Sequence, residues 1–266
     1  MARLSEEEIS TYREEGLVIP EYRLPGNLFA ELRDDCDSLI RDNPETRPEK
    51  LVSAHLEKRA GREEGLRGGG HILRYATHSD VLDLVEQLIG PDIILWGSAL
   101  FAKPAGEGME VPWHQDGHYW PIRPLAAITV WIAIDDSTSE NGCMRYIPSS
   151  HKAGVLSHYL DERRELVLNQ AIQNDLFNEA AAKDDVLMAG QISLHDVFLI
   201  HGSRVNRSTK RRAGLTFRYM PATSYFDRSI PAYRTEGLVV DFARRPLFLV
   251  RGVNRNPQND FQVGHV

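Results

Sequence analysis

From residue 91 onward the chain reads as short β-branched and aromatic runs cut by glycine, proline, asparagine and serine. They are "DIILWGSALFAKP", "AAITVWIAID", "CMRYIP", "QISLHDVFLIHGS" and "AGLTFRYMP". Each is strand-length, and no helical segment alternates regularly between them, which excludes a doubly wound parallel sheet. Amphipathic helices come first instead. "SEEEISTYREEG" carries a capping box, Ser5 with Glu8, and a stop at Gly16. After the brief strand "LVIP", the run "PGNLFAELRDDCDSLIRDN" places Leu28, Phe29, Leu32, Cys36, Leu39 and Ile40 at helical spacing, and "SDVLDLVEQLIG" repeats the pattern up to Gly90. The expectation is a mostly β chain with flanking α-helices: one domain over 1–266, with a helical part of about 1–90 packed outside an antiparallel double sheet.

Two segments break the pattern. Residues 44–70, "PETRPEKLVSAHLEKRAGREEGLRGGG", are charged and end in three glycines, the signature of a loop or flap rather than core. Residues 158–183 read as a helical insertion among the strands. No repeat, low-complexity tract or linker divides the chain.

Charge and composition exclude some functions. A net charge of −7 offers no electrostatic footprint for nucleic acid or an anionic membrane. Cys36 and Cys143 are too few for a disulfide framework, so reduced thiols are expected. The N-terminus is acidic and lacks the apolar stretch of a signal peptide, and "GHV" is not a peroxisomal address. A cytoplasmic enzyme or binding protein acting on a small molecule is the expectation; oligomeric state is not legible.

The stretch "VPWHQDGHYWPIRP" raises a metal site. Iron(II) enzymes that activate dioxygen hold the metal with two histidines and a carboxylate, and His-x-Asp on a strand supplies two of these on one side. The pattern occurs three times. His55-Leu-Glu57 lies in the charged segment and reads as solvated surface. In His78-Ser-Asp80, the serine and aspartate read as helix-capping residues. His114-Gln-Asp116 follows a strand-like run and is the candidate pair. His201, before Gly202 and Ser203, is the candidate third ligand. His195 lies six residues earlier in the same run and reads as a buried histidine or a group behind the ligands. Beyond His201 come Arg204, Arg207, Lys210, Arg211, Arg212 and Arg218. The one at the start of the next strand, Arg212, could fix the far carboxylate of a keto-acid cosubstrate, with a hydroxyl from Ser203.

"LRYATHSDVLDLVEQLIGPDIILWGSALFAKPAGEG", "WHQDGHYWPIRP", "ITVWIAIDDSTSENGCMRYIPSSHKAG" and "HGSRVNRSTKRRAGLTFRYMP", in this order, resemble the phytanoyl-CoA dioxygenase family. The resemblance implies a double-stranded β-helix (jelly-roll, cupin-like) core and a 2-oxoglutarate-dependent non-haem iron dioxygenase. Its cofactors would be Fe(II), 2-oxoglutarate as cosubstrate and O2. It places the iron ligands on His114, Asp116 and His201, and the 2-oxoglutarate contacts on Arg212, Ser203 and Trp131. Some members add a lysine before the "RYAT"-like block; here "GLRGGGHILRY" offers Arg67, His71 or Arg74. Related halogenases lack the carboxylate ligand, so Asp116 implies hydroxylation. His118, Tyr119, Trp120 and Arg123 could line a substrate pocket, and 44–70 could form a lid. Two other classes stay open: a cupin-like isomerase or hydrolase that does not use 2-oxoglutarate, and a non-catalytic metal-binding module.

Overall fold

The computed structural model describes residues 2–60, 64–230, 233–235 and 238–265. The chain opens with the helix Glu6–Glu15. The Ser5 hydroxyl accepts from the Glu8 N–H at 3.1 Å, the Glu8 carboxylate accepts from the Ser5 N–H at 2.6 Å, and Gly16 ends the helix at φ 84°. Gly26–Asp42 buries Leu32, Cys36 and Leu39, and Ser79–Ile89 buries Val81, Leu82, Leu84 and Val85. The cap of this last helix is His78 itself, whose ring accepts from the Asp80 N–H at 3.3 Å. The expected capping role of Ser79 and Asp80 thus shifts one residue back.

Two antiparallel sheets follow. The larger runs Leu17–Val18, Ile192–Asp196, Ile128–Ala133, Arg212–Pro221, Ile93–Lys103 and Phe248–Arg251, with Leu51–Val52 also paired to Ile93–Lys103. The smaller runs Lys183–Asp185, Met144–Tyr146, His201–Ser203 and Val111–His114. Strand side chains alternate between the faces, and this period of two assigns the jobs. Ala213, Leu215, Phe217 and Tyr219 join Ile128, Val130, Ile132, Leu95 and Leu100 in one core with the helical residues Leu32, Cys36, Val81 and Leu84. Burying each such Leu, Val or Phe contributes roughly 1.5–3 kcal/mol, so the helices are held by the sheet they cover. The opposite parity, Arg212, Thr216, Arg218, Thr129 and Trp131, looks into the space between the sheets.

Three expectations are corrected. Residues 158–183 form no helix: His158–Leu160 pairs with Gln170–Ile172, two single turns follow, and Lys183–Asp185 joins the small sheet. Packing overrides helix propensity here, because Ile172 packs with Ile147 and Ile200 while Leu160 and Leu176 stay exposed. "QISLHDVFLIHGS" is two strands rather than one. The Asp196 carboxylate accepts from the Phe198 N–H at 2.8 Å and its carbonyl from the Leu199 N–H at 3.1 Å, closing a turn that carries the chain from one sheet to the other. Lastly, 44–70 is largely packed rather than a free loop, although its residues 61–63 lie outside the described ones. Glu49, Leu51, Ser53, Ala54, His55 and Leu56 are all buried. His55, expected at the surface, donates to or accepts from the Ser98 hydroxyl at 2.7 Å. No described helix is long and apolar enough to cross a membrane.

Candidate metal centre and cosubstrate pocket

His114 ends one strand of the small sheet and His201 begins its neighbour, directly opposite in register. Gln115, fully buried between the two candidate ligands, is tied by its amide to the Gly154 and Phe198 carbonyls at 2.8 and 2.6 Å. With Gln115 anchored outward, His114 and Asp116 turn to the same side. One ligand atom from each of His114, Asp116 and His201 lies within 4.8 Å of the others, and all three residues are buried.

The surroundings prepare these groups for a metal. His114 Nδ1 meets the Pro112 carbonyl at 2.9 Å and His201 Nδ1 the Leu199 carbonyl at 3.0 Å. Each Nδ1–H is thereby spent, and each Nε2 keeps a lone pair for the site. Burial pushes both imidazoles below their ordinary pKa, keeping them neutral, as ligation requires. Burial alone would raise the Asp116 carboxyl. His195, whose Nε2 stands 3.7 Å from Oδ2, outweighs it together with the neighbouring His201, Arg218 and His114, so the carboxyl lies well below the usual range. Thr129 donates to the same Oδ2 at 3.2 Å, which leaves Oδ1 for the metal. The donor set suits Fe(II): two neutral imidazoles and one carboxylate, gathered at one wall of a cavity.

That cavity encloses about 1190 Å³ of non-protein space, its opening to solvent included. At one end Arg212, the first residue of its strand, is 3% exposed and pairs in register with Lys103, 1% exposed. Arg212 donates through Nε and Nη2 to the Gly142 carbonyl at 3.1 and 2.9 Å; among the described residues its Nη1 has no partner. Lys103 donates to the Ser203 hydroxyl at 2.7 Å and to the Arg204 carbonyl. Glu49, whose carboxylate acts on both, already accepts from Arg47 and from the Met109 N–H. Burial, then the neighbouring Arg212, depress Lys103 to about 6; burial depresses Arg212 to about 10. Two buried basic side chains short of a counter-charge can together receive a carboxylate. The Trp131 ring lies under Arg212, 5.8 Å from its guanidinium carbon.

The expected site residues are thus divided. His114, Asp116, His201, His195, Arg212, Ser203, Trp131, Tyr119 and Trp120 line one cavity. His118 and Arg123 do not. His118 stacks on His158 at 4.0 Å, and Arg123 donates to the Trp120 and Ile122 carbonyls. Arg67 and Arg74 are bound to acidic side chains, Glu45 and Asp35, outside the cavity, and His71 is exposed. The basic side chain that does stand beside Arg212 in the cavity is Lys103. A lysine closing the apolar run "ALFAK" was the available signal, since a strand that buried leaves its terminal ammonium beside the neighbouring strand's end.

Gly214 supports Trp131 by having no side chain: a Cβ there would lie 1.9 Å from Trp131 Cζ2. Gly214→Ala is therefore expected to displace the indole and cost about 1–3 kcal/mol. Thermal denaturation should show Tm lower by roughly 2–4 °C per kcal/mol, with a shifted tryptophan emission; an unchanged Tm would refute the close packing.

A jelly-roll double sheet with a two-histidine, one-carboxylate face beside a buried cation pair is the arrangement of non-haem iron(II), 2-oxoglutarate-dependent oxygenases. The phytanoyl-CoA dioxygenase family profile matches residues 12–214, and the chain belongs to that family. It is 29% identical over 195 residues to the peroxisomal phytanoyl-CoA dioxygenase of Bos taurus, covering 71% of this chain and 57% of that enzyme. It is 28% identical over 162 residues to the L-proline trans-4-hydroxylase of Streptomyces griseoviridis, covering 54% of this chain and 60% of that one. The chain thus spans little more than half the length of these relatives. Among solved structures it is similar to the apo non-haem monooxygenase ThoJ, at a TM-score of 0.70 and 27% identity, covering 95% of this chain and 89% of that one.

Proposed function

We propose that the protein hydroxylates an unactivated C–H bond of a small organic substrate, with 2-oxoglutarate as cosubstrate and succinate and CO2 as coproducts. The observation that carries this reading is the Lys103–Arg212–Ser203 group in the same cavity as the His114–Asp116–His201 triad. A metal-dependent isomerase or hydrolase would leave those two buried cations without a use.

Bound iron(II) supplies the activation of dioxygen; one oxygen atom ends in succinate and the other in the product hydroxyl. The chain's own residues do the rest. Arg212 offers Nη1 and Nη2 as a planar fork to the cosubstrate's far carboxylate, and Ser203 and Lys103 add donors beside it. Trp131 covers the guanidinium and excludes water from it. Asp116 enters ionised because Thr129 donates to its other oxygen and His195 stands beside it with Nε2 3.7 Å away, and its presence leaves hydroxyl rather than halide as the group delivered. Names of relatives that hydroxylate an amino acid or an acyl thioester support a small organic substrate without choosing it. Residues 1–266 read as one oxygenase domain because helices and large sheet share a core. Cys36 and Cys143, both buried and free, accord with a reducing compartment such as the cytoplasm.

The test needs no prime substrate. The protein supplied with Fe(II), 2-oxoglutarate and air should release succinate slowly, and neither metal-free protein nor anaerobic protein should. Absence of succinate from iron-loaded protein would refute the oxygenase reading.

A further inference from the structure

Opposite the Lys103–Arg212 end, the cavity is built from donors without acceptors. Arg218 lies six residues beyond Arg212 on the same strand, about 20 Å along it and of the same parity, so both reach the same cavity from different ends. Its register partner Thr129 is the residue that holds Asp116, which sets Arg218 beside the metal ligands on the side away from Arg212. Among the described residues the Arg218 side chain has no ion pair or hydrogen bond, and its Nε is buried without a partner. Its guanidinium carbon lies 5.2 Å from the Trp120 ring and 6.0 Å from the Trp96 ring.

Those two indoles meet edge-on at 4.5 Å, and the Nε1–H of each is also buried and unpartnered. The other cation nearby, Arg245, is neutralised by Glu64 at 2.5 Å, so it does not offset or share the role of Arg218. Arg218 does act on the Asp116 carboxylate, but that charge belongs to the metal. Three unsatisfied donors, one of them charged, lie among apolar walls that include Phe242. Unpartnered buried donors cost free energy in the folded protein and persist where a ligand completes them.

Resting on the oxygenase reading above, we propose that this corner is the anchor for the prime substrate and that the substrate is an organic acid. Its oxyanion pairs with Arg218 and takes the Trp96 and Trp120 N–H groups, while its hydrocarbon part lies toward the triad. Arg212 and Arg218 then divide the two acids between them, cosubstrate at one end and substrate at the other. A substrate presenting only an ester or amide in that place would leave the guanidinium unpaired, which is how the site would reject it.

The test is anaerobic isothermal titration of hexanoate, octanoate and 3-phenylpropanoate, with the matching phosphonates and primary amides, into protein loaded with Fe(II) and 2-oxoglutarate. At least one acid should bind the wild type about tenfold or more tightly than its amide, a difference of about 1.4 kcal/mol. The carboxylate and phosphonate arms report which oxyanion fits. Arg218→Gln should erase the preference, Arg218→Lys should keep part of it, and Trp120→Phe should reduce it while preserving the ring. All three should bind 2-oxoglutarate as the wild type does. An acid bound no better than its amide by the wild type, or undiminished preference in Arg218→Gln and Trp120→Phe, overturns the proposal. So does loss of 2-oxoglutarate affinity in Arg218→Lys, which would move Arg218 to the cosubstrate. Failure of the wild type to bind 2-oxoglutarate at all would instead count against the oxygenase reading itself.

Discussion

Alanine at His201 is expected to abolish iron-dependent consumption of 2-oxoglutarate and stoichiometric metal binding together. His201 supplies one of three ligand atoms, and its ring is already oriented by the Leu199 carbonyl. Losing a residue that merely orients a ligand costs roughly 10–100-fold in metal affinity or activity, and losing the ligand itself should exceed that. The readout need not be turnover. Mn(II) binds the same donor set without redox chemistry, and a metal that binds only the native state raises Tm by mass action. Wild type should show this rise and His201→Ala should not. His78→Ala is the control, because that ring does no more than cap a helix. A Tm rise retained in His201→Ala, or lost in His78→Ala, would mean the wrong histidines were chosen. The pH dependence has a definite sign as well. Burial holds His114 and His201 neutral at neutral pH, so metal affinity should persist there and fall in acid as the ligands protonate.

What could be read from residues alone was whatever a local rule decides. The capping box at Ser5, the helices of the first 90 residues and the β-branched run "ITVWIA" are short-range patterns, and the structure keeps them. His114 and Asp116 were legible because a two-residue spacing fixes their common side. His201 was legible by its place before Gly202 and Ser203, although its placement on one run with His195 fails. The two lie on different sheets and converge on one cavity only because the Asp196 turn swings the chain across.

The misreadings at 44–70 and at Arg218 share one cause: charge in the sequence was taken for exposure in the fold. Segment 44–70 is rich in charge, yet three of its acids are bound within the fold. Glu49 accepts from Arg47, Glu57 accepts from the Gly68 and Gly70 N–H groups, and Glu64 pairs with Arg245. Each partner is remote or of opposite sign, so no periodicity reveals the pairing. Arg218 was submerged in a run of six cations for the same reason. Arg211, one residue from Arg212, is held by Asp135 and Asp37, and only pairing in space separates the two.

Lys103 is where such a pairing has the largest untested consequence. Lys103→Met is expected to weaken 2-oxoglutarate binding by roughly 1.5–3 kcal/mol, the size of a hydrogen bond to a charged group. Arg212→Lys, which keeps the charge and loses the fork, should cost a comparable amount. The distinguishing feature is pH. Burial and then Arg212 hold Lys103 at about 6, so without an anion it is largely neutral at neutral pH. A bound carboxylate favours the ammonium and raises that value. Binding must then take up a proton, and affinity should rise as pH falls through neutrality toward about 6, levelling below it. Stability without ligand runs the other way. The unfolded chain keeps the lysine near 10.5 and binds more protons between there and about 6, so the Lys103 contribution to stability grows with rising pH across that window. Titrating 2-oxoglutarate into the Mn(II) form in buffers of different ionisation enthalpy measures the proton count directly. Uptake near neutral pH in the wild type that vanishes in Lys103→Met, while Mn(II) binding survives, is the expected result. A wild type that binds the anion without proton exchange, or a Lys103→Met variant of unchanged affinity, would place the carboxylate on Arg212 alone.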